Sequence, residues 1–131
     1  MTPEGKVKAK VKKLLAEHGD MVYSHWPVLN GMGAAELDCN VVAYGTAITI
    51  ETKAPGEKPT GRQRQIAKRK RAAGAIVLYV SDGYDMDLLK CLLGDLKRWY
   101  DSEHGFYNHQ ARVLRYRGAA LDYNQRRYEH V

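Results

Sequence analysis

Two strand-like segments joined by a tight turn constrain the fold of this chain most strongly. Residues 47–53 alternate as a half-buried strand does, with Ile48 and Ile50 on one face. Gly45 marks a turn that would fold residues 36–43 back beside them. The sequence therefore predicts an antiparallel hairpin over residues 36–53.

Acidic and basic side chains meet on this hairpin. Asp38 lies on its first strand and, after twelve intervening residues, Glu51 begins the run Glu51-Thr52-Lys53 on its second. Glu51 and Lys53 project from the same face, and the turn brings Asp38 toward them. Two carboxylates beside a lysine suit Mg²⁺ or Mn²⁺, which can activate a water and neutralise a phosphate under attack. Glu36, two residues before Asp38, is a rival ligand, and each residue taken singly is typical of a solvated surface.

Hydrophobic periodicity predicts the order α-β-β-β-α-β-α. The first helix is capped by Thr2, with Pro3 in its first turn, and the second helix is capped by Thr60. The other predicted elements are a first strand over residues 21–29, the hairpin strands, the second helix over 61–73, a buried strand over 75–80 and an amphipathic helix over 86–100. Beyond these, the pattern predicts an extra strand over 111–117 and a short helix over 119–128.

Positive charge is concentrated in two segments. The 131 residues, enough for one domain, carry 21 Lys and Arg against 15 Asp and Glu, a net charge of +6. Residues 5–16 hold five lysines and residues 58–71 hold seven basic residues, with no acid in either segment. Such clustering is the electrostatic footprint of a polyanionic partner, although a single basic helix is more often a solvated face. The candidate contacts with such a partner are Lys6, Lys10, Lys13, Lys58, Arg62, Arg64, Lys68, Arg69, Lys70 and Arg71.

Several classes of protein are disfavoured by what the sequence lacks. The charged N-terminus does not resemble a signal peptide, and no apolar stretch approaches the ~20 residues that span a bilayer, so we expect a cytoplasmic protein without a membrane partner. Cys39 and Cys91 are too few for a zinc motif or a disulfide framework, and both are expected to be reduced core thiols. The sequence has no phosphate-binding loop motif, and we expect no nucleotide cofactor.

An ordered set of residues runs through the predicted core. It comprises Glu4 on the first helix, Asp38, Glu51-Thr52-Lys53, and Thr60 with Gln63 at the start of the basic helix. This set resembles the signature of the VRR-NUC domain, a branch of the PD-(D/E)XK nuclease superfamily. The resemblance covers roughly Thr2 to Ser81 and implies an α/β restriction-endonuclease-like core. We expect residues 1–100 to form the nuclease domain and residues 101–131 to form a C-terminal helical extension that serves as an interface or a DNA contact.

The resemblance also implies a role for each site residue. Asp38, Glu51 and the backbone carbonyl of Thr52 would bind the divalent metal. Lys53 would orient or deprotonate the attacking water and stabilise charge on the phosphate. Glu4 would act as an additional carboxylate, and Gln63 would hold the site or the DNA backbone. Read without the resemblance, Glu4 is an ordinary first-turn acid and Gln63 a solvated polar residue.

The function predicted in this way is a Mg²⁺- or Mn²⁺-dependent DNA endonuclease acting on branched DNA such as Holliday junctions. Small members of this family are typical of phages, so a bacterial or phage-infected cell is the expected location. A homodimer is expected because one domain offers one metal site and symmetric cutting needs two, with the interface after residue 85. The alternatives are an exonuclease or flap nuclease of the same fold and a non-catalytic nucleic-acid-binding module.

Overall fold

The computed structural model describes residues 1–28, 36–103 and 109–130. The regular elements within these ranges are four helices, four strands and a short 3₁₀ turn at Gly19–Met21. In chain order they are α1 Pro3–Ala16, β1 Val22–His25, β2 Cys39–Ala43, β3 Thr46–Thr52, α2 Gly61–Ala72, β4 Ile76–Val80, α3 Tyr84–Glu103 and α4 His109–Glu129.

The four strands form one mixed sheet in the order β1-β2-β3-β4. β1, β2 and β3 pair antiparallel, and β4 pairs parallel to β3 through the crossover made by α2. The hairpin turn between β2 and β3 has positive φ at Tyr44 (50°) and Gly45 (79°), the backbone that matches the twist of a tight hairpin. The predicted α/β architecture, a mixed sheet flanked by helices, is confirmed.

The main core lies on the sheet face covered by α1 and α3. The inward leucines of α3, including Leu89, Leu92 and Leu96, pack with Val7 and Val11 of α1 against alternate residues of the strands. A smaller cluster lies on the opposite face, where α2 and α4 cover β3 and β4. Its members are Leu37, Ala67, Val77, Tyr79 and Tyr128.

Helix α4 is fastened to the sheet by buried polar contacts. The fully buried Asn124 accepts a hydrogen bond from the Tyr79 amide (3.0 Å) and donates one to the Tyr79 carbonyl (2.8 Å). Its side chain also donates to buried Asp85, which accepts further hydrogen bonds from Arg127 and the Tyr128 hydroxyl. The last turns of α4 therefore dock on the end of β4 and the start of α3.

The extra strand predicted over residues 111–117 was wrong, because these residues are helical and continue into the predicted helix over 119–128 as the single helix α4. The alternation of arginine with apolar residues resembles a strand, but the buried residues described in this segment recur at helical spacing: Val113, Leu121, Asn124 and Tyr128. β1 is shorter than predicted and ends at His25, while Leu29 lies outside the described residues. Cys91 is exposed on α3 rather than buried in the core, whereas Cys39 is buried.

In the described part of the chain, no helix combines the length and the apolar character needed to cross a membrane.

Both predicted helix caps are present. The Thr2 hydroxyl accepts from the Gly5 amide, and Thr60 and Gln63 form a reciprocal capping box at the start of α2.

Candidate metal centre

Three carboxylates from three separate elements converge at one end of the sheet. Glu4 comes from the first turn of α1, Asp38 immediately precedes β2, and Glu51 lies near the end of β3. One oxygen of each lies within 4.8 Å of the others. The Thr2 cap and Pro3 fix the start of α1, and thereby hold Glu4 at this position.

Asp38 is held in place by the strand that carries Glu51. Its Oδ2 accepts from the Thr52 amide (2.9 Å) and the Thr52 hydroxyl (2.6 Å). The Asp38 amide in turn donates to Glu51 Oε1 (3.1 Å). Lys8 Nζ lies 3.6 Å from Asp38 Oδ1, which leaves that carboxylate between a lysine and the rest of the cluster. The two acidic side chains are therefore fixed relative to one another by short contacts between β2 and β3.

Lys53 is buried beside Glu51, with 5% of its surface exposed. Its ammonium lies 3.2 Å from Glu51 Oε2 and donates a 2.8 Å hydrogen bond to Gln63 Oε1. The same Gln63 oxygen accepts from the Thr60 amide (3.0 Å). The capping box of α2 thus also positions the lysine, and the structure brings the predicted residue Gln63 to the centre through Lys53.

The electrostatics of the centre favour binding of a cation. Burial, and after it the neighbouring Asp38 carboxylate, raise the pKa of Glu51 to about 7, while the Lys53 ammonium opposes them. A divalent cation would remove the repulsion between these carboxylates. Three carboxylate oxygens without sulfur or imidazole form a hard donor set of the kind that Mg²⁺ and Mn²⁺ prefer. The residues present therefore fit such an ion.

The carboxylate of Glu36, the rival ligand, pairs with a lysine of α2. Its carboxylate lies 2.7 Å from Lys70 Nζ, and it is not among the three clustered carboxylates. Lys70 also donates to Asn40 Oδ1, so this lysine links α2 to β2. The proposed carbonyl ligand of Thr52 stays a prediction, because the contacts of that residue with Asp38 are made by its amide and hydroxyl.

The predicted DNA-contacting residues fall into two groups. Five of them bind within the chain: Lys10 pairs with Asp82, Lys58 donates to the Arg127 carbonyl, Arg64 donates to the Pro59 carbonyl, Lys70 pairs with Glu36, and Arg71 pairs with Glu129. The others are exposed and form no ion pair with a described residue. They are Lys6, Lys13, Arg62, Lys68 and Arg69. This second group is free to meet phosphates.

One comparison with solved structures decides the fold. The chain is similar to a structure described as "VRR_NUC domain", with a TM-score of 0.53 and 21% sequence identity over 79% of this chain and 99% of that chain. The fold is that of a VRR_NUC domain. No family model matches the sequence of this chain, and no curated protein matches it either.

Two contacts of Asp38 at this centre, with Lys8 and with the Thr52 hydroxyl, were not predicted from the sequence. Lys8 was absent from the candidate residues, although it lies one helical turn after Glu4 and so on the same side of α1. That spacing could have identified it. No spacing indicates that the Thr52 hydroxyl binds Asp38. Along an alternating strand, the side chain of Thr52 is expected to point away from the face of Glu51 and Lys53.

Proposed function

We propose that this chain is a metal-dependent nuclease of the PD-(D/E)XK superfamily that hydrolyses phosphodiester bonds in DNA. The observation that carries the proposal is the convergence of Glu4, Asp38 and Glu51 within 4.8 Å, with the Lys53 ammonium 3.2 Å from Glu51. A hard cation site beside a buried lysine suits the transfer of a phosphoryl group to water. The VRR_NUC fold is consistent with this chemistry.

The contacts of each residue at the centre suggest its role. Asp38 and Glu51 would hold the ion, with Glu4 as a third carboxylate, and Thr52 keeps Asp38 oriented. Bound Mg²⁺ or Mn²⁺ would supply an activated water and neutralise charge on the phosphate. The Lys53 ammonium, held by Gln63, would stabilise the negative charge that develops on the phosphate oxygens.

The proposed substrate is branched or otherwise non-B-form DNA, bound through the exposed basic residues of α1 and α2. An exonuclease or flap nuclease with the same centre is the second candidate, because the same carboxylates would serve either mode of cleavage. A binding module without catalysis leaves the clustered carboxylates and the buried lysine without a role.

A panel of linear, nicked, flap and four-way-junction DNAs would test the proposal. Each substrate is incubated with Mg²⁺, Mn²⁺ or EDTA, with the wild-type chain and with Asp38→Ala. We expect cleavage that needs the metal and is lost in the variant, with paired symmetric cuts in junctions. Degradation from ends would favour the exonuclease. Binding without cleavage of any substrate under any condition would contradict a nuclease.

The homodimer is part of this proposal, and its interface is placed on α4 instead of α3. The apolar side of α3 is used within the chain, because its leucines are buried against the sheet. The large apolar side chains exposed on the described part of α4 are Leu114, Tyr116 and Tyr123. Light scattering at micromolar concentration on the full chain and on Leu114→Arg tests this interface. A wild-type monomer that still cuts junctions would contradict the dimer.

A further inference from the structure

Half of one sheet face is left open by the helices. α2 and α4 cover β3 and β4 on this face, but β1 and β2 meet solvent beside them. The cross-strand partners Tyr23 and Val42 are 70% and 52% exposed there. Together with His25, Asn40 and the edge of α2, they line a groove of about 640 Å³. The floor of this groove is therefore an aromatic ring set among apolar and hydrogen-bonding side chains.

The groove leads to the metal centre along the strands. Side-chain alternation puts Asn40 and Val42 on this face of β2, with Asp38 two residues before Asn40. On β3, Thr49 lies beside the groove and Glu51 follows two residues later. The four-residue step from Val42 to Asp38 corresponds to roughly 13 Å of extended backbone. Lys70, which also lines the groove, contacts Asn40 between these two positions.

Basic residues of α2 lie along one side of the groove, which Lys70, paired with Glu36, itself lines. Ala73 of the segment following α2 lines the groove, and Arg69 and Arg62 lie four and eleven residues earlier, on the same side of the helix. Both arginines are exposed and pair with no acidic residue in the described ranges. Lys68 lies on the opposite side, in the cleft between α2 and α4. Arg62 lies in the first turn of α2, beside the residue that holds Lys53.

We propose that this groove binds a single strand of nucleic acid and directs it to the metal centre, with a base stacked on Tyr23 and phosphates beside Arg69 and Arg62. An exposed aromatic ring next to a basic track is how proteins hold single strands without reading sequence. A second copy of the chain fits less well, because a symmetric dimer centred on the groove would bring the arginine rim against itself. The proposal deepens the nuclease function and rests on it for the direction of the strand, whereas binding needs no cleavage.

Fluorescence anisotropy in EDTA tests the groove directly. The probes are fluorescein-labelled oligothymidylate and oligouridylate of the same length, which separate DNA from RNA as the bound strand. We expect Tyr23→Ala to weaken binding of at least one probe by about 5- to 100-fold, the effect of losing one stacked base. The control is Tyr84→Ala at the start of α3, a tyrosine that is 47% exposed, and it should bind as the wild type does.

A second pair of variants tests the rim. Arg69→Glu should weaken binding and flatten its dependence on salt, whereas Lys68→Glu, on the far side of α2, should have the smaller effect. Circular dichroism checks that all four variants fold. Equal affinity of the wild type, Tyr23→Ala and Arg69→Glu for both probes would overturn the groove. A self-association that Tyr23→Ala abolishes while strand affinity stays unchanged would also overturn it, in favour of a protein interface.

These outcomes are separable from failure of the nuclease itself. Loss of strand binding in the groove variants does not depend on Asp38, and cleavage lost in Asp38→Ala does not depend on Tyr23. A chain that binds strands through Tyr23 but cleaves nothing would support the groove and contradict the nuclease. Suppose instead that cleavage depends on Asp38 but affinity for single strands does not depend on Tyr23. That result would support the nuclease and contradict the groove.

Discussion

The hydroxyl of Thr52 should decide how well the centre binds metal. Thr52→Val removes the 2.6 Å hydrogen bond to Asp38 Oδ2 while nearly keeping the shape of the side chain, and the Thr52 amide bond at 2.9 Å remains. The residue is fully buried, so water cannot replace the lost donor. Asp38 would then be held by one hydrogen bond from β3 instead of two.

The size of the effect follows from the charge on the acceptor. A hydrogen bond to an ionised group contributes about 1.5–3 kcal/mol, roughly twice the value of a neutral one. Loss of a residue that orients a metal-binding side chain lowers metal affinity by about 10- to 100-fold. For Thr52→Val we expect a loss of affinity in this range and a free energy of unfolding in EDTA that falls by about 2 kcal/mol.

Isothermal titration with Mn²⁺ measures the affinity, and urea unfolding in EDTA measures the stability. The matched control is Thr49→Val, a buried threonine on the same strand whose hydroxyl donates to Asn40 Oδ1 at 3.3 Å instead of to a carboxylate. The control should bind Mn²⁺ as the wild type does. Equal Mn²⁺ affinity for Thr52→Val and the wild type would refute the role of Thr52 in positioning Asp38.

Further variants test the metal centre and the docking of α4. Asp38→Ala should abolish cleavage while DNA binding survives, and Lys53→Ala should slow cleavage by roughly 10²-fold or more, which single-turnover assays and gel shifts would check. Burial raises the pKa of Glu51 from an ordinary 4.5 to about 7 in the folded chain. In EDTA, the contribution of Glu51 to the free energy of unfolding is therefore fully present below pH 4.5 and is lost as the pH rises through 7. Glu51→Gln should therefore flatten the fall in unfolding free energy between pH 4.5 and 8, by roughly 3 kcal/mol, and an unchanged pH profile in urea titrations would contradict this. Asn124→Ala should cost roughly 3 kcal/mol in the same titrations because it leaves the Tyr79 amide and carbonyl without partners, whereas Gln125→Ala should be near neutral.

Local patterns were sufficient to predict most of the architecture. The alternation around Ile48 and Ile50, the Gly45 turn and the Thr60 cap each depend on neighbours a few residues away, and each is confirmed. The C-terminal segment failed because an alternation of arginine with apolar residues satisfies strand and helix spacing almost equally over seven residues. Only packing on β4 and α3 selects the helix.

The site was predictable as a set of residue types but not as a set of contacts. Asp38 and Glu51 could be brought together by the hairpin, which is a local argument. The bond between Thr52 and Asp38 joins residues 14 apart, and the Asn124 bonds join residues 45 apart, so both depend on tertiary placement. The exposed Tyr23 could not be distinguished from a core tyrosine, because the sequence does not tell which part of the sheet the helices leave open.

The two hydrogen bonds from Asn124 to Tyr79 have a consequence for self-association. β4 is an outer strand of the sheet, and an outer strand with free amides and carbonyls can recruit a strand from another molecule. The side-chain amide of Asn124 takes up the amide and carbonyl of Tyr79 in place of a neighbouring strand. At Tyr79, pairing with a strand of another molecule, and with it domain swapping across β4, is therefore blocked for as long as α4 stays docked.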